Sequence, residues 1–141
     1  MSDFDAVLGA LPVPVQAVGD RTWVVRVPTE RRGDLPVQIV AGERHVRLST
    51  FILRGPDQAH AEVYRRLLRR NLDLDVWRFA VDDDRDIYLI AQIDRTTTAA
   101  HLDAVLGLLA VTVDQCVQGL IDLGFDTAHP STASPRLRDQ G

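Results

Sequence analysis

The sequence predicts an α+β domain, a mainly antiparallel five-stranded sheet with helices packed on it, in the order α-βββ-α-ββ-α. Three observations predict it. Strand-like runs occur in consecutive groups joined by short connections, which favours antiparallel meanders over parallel crossovers. Stretches of helical period separate those groups. The 141 residues show no internal repeat and no long linker, and they suffice for a single core.

Each element has its own signal. Phe4, Val7, Leu8 and Leu11 stand at helical spacing, and Pro12 and Pro14 end that segment. Thr22–Val27 is rich in β-branched and aromatic residues, and Pro28 closes it. After a polar connection, Leu35–Ala41 reads as the second strand, with Gly42 and Glu43 turning into a third, Arg44–Leu53. Gly55-Pro56-Asp57 reads as the start of a helix running to about Arg70, because proline suits the first turn and aspartate complements the positive helix end. Val63, Tyr64, Leu67 and Leu68 form its apolar stripe, and Asn71 suits a left-handed stop. Val76–Val81 and Ile87–Ile93 flank the acidic turn Asp82–Asp86 as a hairpin. The last helix is expected over Thr98–Leu123, capped by Thr96, Thr97 or Thr98 and ended by Gly124. These elements make one domain over 1–126. Beyond Thr127 the chain offers little to bury, so 127–141 is expected to be a disordered tail.

Composition narrows the function classes. The net charge is −4, which argues against a general nucleic-acid binder. All basic residues are arginine, a usage typical of a GC-rich bacterial genome. The acidic N-terminus lacks the basic start of a signal peptide. The apolar stretch Leu102–Leu123 is interrupted by Asp103, Asp114 and Asp122, against a membrane span. The single Cys116 excludes an intramolecular disulfide and fits a reducing, cytoplasmic compartment.

No catalytic residue is assigned. The glycines form no phosphate loop, and no lysine exists to complete one. The serines lie at Ser2, Ser49, Ser131 and Ser134, with no nucleophile-elbow motif. The four histidines are scattered, and mid-helix Cys116 reads as a small buried hydrophobe. No metal or cofactor is expected: Asp82–Asp86 clusters oxygen ligands but lacks the glycine and closing glutamate of a calcium loop, so a solvated turn is the reading. Arg65, Arg66, Arg69 and Arg70 form a basic strip that suits phosphates or an acidic partner, against a solvated helix face in which Glu62 pairs with Arg66. The strand around Trp77 is apolar on both sides, Val76 and Ala80 against Trp77, Phe79 and Val81. Such strands are buried on both faces, by an internal core or by a second subunit.

The run Leu67–Asn71, the segment Trp77–Asp84, the strand Ile87–Ile93, and Leu102–Leu106 with Val113-Asp114 resemble the YbjN-domain family, labelled bacterial sensory transduction regulators. The resemblance covers about half the chain closely. It implies a fold similar to class I type III secretion chaperones, a homodimer and a protein-binding surface. Related chaperones dimerise through the middle helix and a neighbouring strand, which here gives Val63, Tyr64, Leu67, Leu68 and Trp77. The resemblance carries over no catalytic residue, and it leaves Gly124-Phe125-Asp126 and the arginine strip unmatched. The expected function is therefore a non-enzymatic, chaperone- or adaptor-like module that binds a protein partner as a homodimer. A regulatory module binding a small ligand or nucleic acid through Arg65–Arg70 is the alternative. An enzyme, or a subunit requiring a related paralogue, are further readings.

Overall fold

A computed structural model of the chain describes residues 3–126. The tail expectation for 127–141 lies outside the described residues. Three helices, α1 (Asp3–Gly9), α2 (His60–Asn71) and α3 (Ala99–Gly124), accompany six strands: β1 (Val15–Gly19), β2 (Thr22–Pro28), β3 (Asp34–Ala41), β4 (His45–Leu53), β5 (Arg78–Val81) and β6 (Ile87–Asp94). Every paired neighbour is antiparallel, in the order β1-β2-β3-β4-β6-β5.

The α+β class stands, but the sheet has six strands rather than five. The added strand, β1, follows the two prolines that end α1. It is short, mostly exposed and holds Gln16 and Gly19, so it lacks the apolar alternation that marks the others. Val15 and Ala17 stand opposite Val25 and Trp23, and a bulge falls between Ala17 and Gly19.

One sheet face is the core. Val25, Val37, Ile39, Leu48, Leu89, Ala91 and Phe79 lie in register across β2, β3, β4, β6 and β5, and all are buried. Phe4 and Leu8 of α1, Val63 and Leu67 of α2 and the inward stripe of α3 join them in one cluster. Thr50, also buried there, donates its hydroxyl to the Pro36 carbonyl at 3.0 Å, which removes the cost of an unpaired polar group in the core.

Residue choices at α3 fix its place. Thr98 is the residue that caps it, its hydroxyl accepting from the His101 N–H at 3.1 Å. By length and composition α3 would suffice to cross a membrane, with a mean hydropathy of 1.7. In this fold half of that apolar window is buried inside the domain. Gly124 is the last helical residue rather than a left-handed stop. A side chain there would put its Cβ 2.6 Å from Val63 Cγ2, so the glycine permits close approach of α2. The segment expected to begin α2 instead closes α3: the Asp57 and Gln58 amides donate to the Gly124 carbonyl at 2.8 and 3.1 Å. Helix α2 then begins only at His60, after Ala59 in the left-handed conformation.

Candidate protein-binding surfaces

The residues the sequence assigns to a partner or dimer interface separate into two groups. Val63, Leu67 and Trp77 are inside the chain's own core, at 0%, 3% and 0% exposure. They are not available to a partner, and that part of the expectation is corrected. The reason is α3: its stripe covers this side of the sheet, and the Trp77 indole donates to the Val105 carbonyl at 2.8 Å. The internal core thus accounts for one side of the β5 segment. Tyr64 is half-buried, with its hydroxyl enclosed and without a partner among the described residues. Leu68 points outward at 69% exposure, and Leu72, one turn on, reaches 85%.

Asn71 is not a left-handed stop. It ends α2 in ordinary helical continuation, since Leu72 has φ −65°. Its side-chain amide does other work: Nδ2 donates to the Phe79 carbonyl at 3.1 Å and Oδ1 accepts the Phe79 N–H at 2.8 Å. Both bonds fall on the edge of β5, so Asn71 takes the place of a further strand there. Arg78 Nη1 satisfies the Trp77 and Leu74 carbonyls at 2.7 and 2.8 Å. Val76, between Asp75 and Trp77, has φ +67°, a costly conformation for a β-branched residue, and the Trp77 N–H closes a tight turn onto Asp75 O at 2.6 Å.

All four arginines of the strip, Arg65, Arg66, Arg69 and Arg70, are exposed on α2. They border an open hollow of about 550 Å³ together with Leu72 and Asp73. The expected Glu62–Arg66 pair is not formed: among the described residues the one ion pair is Arg54–Asp57, at 2.7 Å. Arg66 instead reaches across to α3, where its Nη1 would lie 3.4 Å from a Cβ on Gly119.

Among the described residues, no helix or further strand covers the sheet face opposite the helices. On it Phe51, near the end of β4, and Tyr88, near the start of β6, stand in register and stack edge to face, with centroids 5.6 Å apart. Ile90 and Ala80 adjoin them, also half-buried. Arg26, Arg47, Arg78, Gln38 and Gln92 lie on the same face and are exposed.

Sequence reasoning missed three structural roles. Asp114 of α3 accepts the Glu30 and Arg31 amides at 3.1 Å each, so it holds the β2–β3 turn against the helix. Asp57 pairs with Arg54 and accepts the Asp126 N–H at 2.8 Å, while the Arg54 guanidinium lies 5.2 Å over the Phe125 ring. That clasp gives Gly124-Phe125-Asp126 its structural place. Asp86 is buried and accepts the Gly55 N–H at 3.0 Å. Apart from Arg54–Asp57, no local pattern signals such bonds, because their partners are distant in sequence.

The carboxylates of Asp82, Asp84 and Asp86 gather within 4.8 Å, and Asp82 Oδ1 accepts the Asp84 and Asp86 amides at 2.9 Å. Cys116 is buried, and desolvation pushes its thiol up and keeps it protonated. An open hollow of about 790 Å³ lies between α1 and the ends of β4 and β6, and charges of both signs line it, Arg44 and Arg95 with Glu43 and Asp94. The Thr96 hydroxyl and amide hold the Asp94 carboxyl below its ordinary range.

Residues 29–122 match the model of the family YbjN, "Putative bacterial sensory transduction regulator". An uncharacterized protein of Mycobacterium bovis and one of Mycobacterium tuberculosis are each 37% identical over 103 residues, and one of Mycobacterium leprae is 35% identical. The alignments span 72% of this chain and 56% of those proteins, so the chain corresponds to about half their length. Among solved structures, the type III secretion chaperone SycH of Yersinia pestis, in complex with a stable fragment of YscM2, is 22% identical. It has a TM-score of 0.49, with 86% of this chain and 94% of that one covered. The family description and the mycobacterial proteins' names state no enzymatic activity. The matched residues run from the β2–β3 turn nearly to the end of α3, and the chain belongs to the YbjN family.

Proposed function

We propose that this chain is a non-enzymatic protein-binding module, adaptor- or chaperone-like, that works as a homodimer in the cytoplasm, with residues 1–126 as its one domain. The observation that carries the reading is the apolar character of the sheet face that no helix among the described residues covers. An antiparallel sheet tolerates one face in water, but that face is normally polar. Here Phe51, Tyr88, Ile90 and Ala80 form a contiguous apolar patch with arginines and glutamines around it. Apolar patches with a polar rim mark protein contacts. A second copy is the occupant this supports, because a twofold axis through the patch sets aromatic and aliphatic groups against their like. The lone buried Cys116 supports a reducing compartment.

Light scattering coupled to size exclusion tests it. The wild type should run as a dimer, and Ile90→Arg, which puts a charge into the patch, should run as a folded monomer. A monomeric wild type across the micromolar range would sink the homodimer.

A second reading, a regulatory module that binds a small anionic ligand or nucleic acid, draws on the four arginines without a carboxylate partner among the described residues. Its mark would be steeply salt-dependent binding to an oligonucleotide that weakens in Arg66→Ala.

A further inference from the structure

We infer that the outer face of α2 is a docking site for an acidic, amphipathic segment of a partner protein. The inference rests on the protein-binding reading above and names the chemistry of the partner at a second surface, away from the sheet face.

Three observations converge on this face. First, it concentrates charge against the trend of the molecule: four of the sixteen basic residues fall within six positions of a chain whose net charge is −4. Second, Arg65, Arg66, Arg69 and Arg70 have no ion-pair partner among the described residues, although Glu62 and Asp73 stand on the rim of the same hollow. Each guanidinium keeps its forked donors for an external carboxylate. Third, Leu68 and Leu72, one helical turn apart, are the two most exposed large hydrophobic residues among those described. They lie between the arginines and the β5 edge to which Asn71 ties the helix.

Positive charge alone would not choose among anions. The leucines do. A phosphate backbone has nothing to set against two exposed leucines, and the strip has no exposed aromatic ring on which a base would stack, since Tyr64 is half-buried with its hydroxyl enclosed. A segment that alternates carboxylates with an apolar side chain at i, i+3 or i+4 satisfies both halves of the face. The arginines would set the rate and selectivity of encounter, and the leucines the residence time.

The test uses the whole chain and a fluorescein-labelled synthetic peptide with glutamates and leucines at helical spacing, read by anisotropy. Polyglutamate and a single-stranded DNA oligonucleotide serve as competing probes. The peptide should bind in a salt-sensitive manner. It should bind roughly tenfold or more weakly to the Arg65→Glu/Arg69→Glu variant and comparably weakly to Leu68→Asp, because truncated hot-spot groups typically carry that much affinity. Arg65→Lys/Arg69→Lys should recover part of it. All these side chains are exposed, so the variants should keep the wild-type melting temperature, which is measured alongside.

Equal binding of the peptide to the Glu variant would overturn the inference. So would DNA or polyglutamate binding as tightly as the peptide, which would leave a polyanion site in which the leucines play no part. If the Glu variant loses the dimer mass, the occupant is a second copy and the inference also falls. A dimer that persists in all variants without peptide binding overturns this inference alone and leaves the homodimer standing.

Discussion

The two edges of the sheet are protected in different ways. At β5 the edge is masked by side chains. Asn71 bonds both backbone groups of Phe79, Arg78 takes the Trp77 carbonyl, and Trp77 itself is anchored on α3 through Val105. At β1 no such device exists among the described residues. That strand has five residues, four of them exposed, and a bulge between Ala17 and Gly19. Brevity and a bulge are themselves ways of discouraging strand addition. One edge is thus closed by specific bonds between distant residues and the other by being a poor template. The first is sensitive to single substitutions and the second tolerant of them.

Substitutions can break or sharpen that contrast. The largest effect is expected for Trp77→Ala, which removes a fully buried ring and its bond to Val105. It should cost about 3–5 kcal/mol in denaturant unfolding. A cost below 1 kcal/mol would mean that the β5 edge is not anchored there. Asn71→Ala comes next. It leaves the Phe79 N–H and carbonyl without their partner, so a loss of about 1–3 kcal/mol is expected, with more aggregation on heating as the edge opens. Arg78→Ala should cost about 1 kcal/mol or less, since its guanidinium bonds lie partly in water. Val18→Lys on the β1 edge, where the side chain is 50% exposed, should change stability by less than about 0.5 kcal/mol. If Val18→Lys proved as costly as Asn71→Ala, the two edges would not differ in the way described.

The same contrast explains what the sequence revealed. The hairpin β5–β6 and the long helix α3 were legible because alternation and helical period extend over many residues there. The strand β1 was not, since five residues beginning one position after Pro14 and containing a glutamine and a glycine give neither signal. The two-sided apolar character around Trp77 was visible. Its cause was not, because the carbonyl that accepts from the indole lies 28 positions away on α3. The interface residues Val63, Leu67 and Trp77 were misplaced for the same reason: a stripe on a helix says that it is buried, not by what. Of the expected candidate surface, Leu68 and the four arginines emerge exposed, and Leu72 beside them lay beyond the stripe that the period marked.

The contrast has an optical consequence. The chain has two tryptophans, and they lie toward opposite ends of the sheet. Trp23 on β2 is half-buried against the Phe4 ring, 5.5 Å between centroids, while Trp77 leads into β5 in a dry site. The Trp77 emission should lie to the blue of the Trp23 emission. Trp23→Phe would leave a protein that reports only the β5 end. Comparing its unfolding curve with that of the wild type would then read out, without any added label, whether the two edges come apart together.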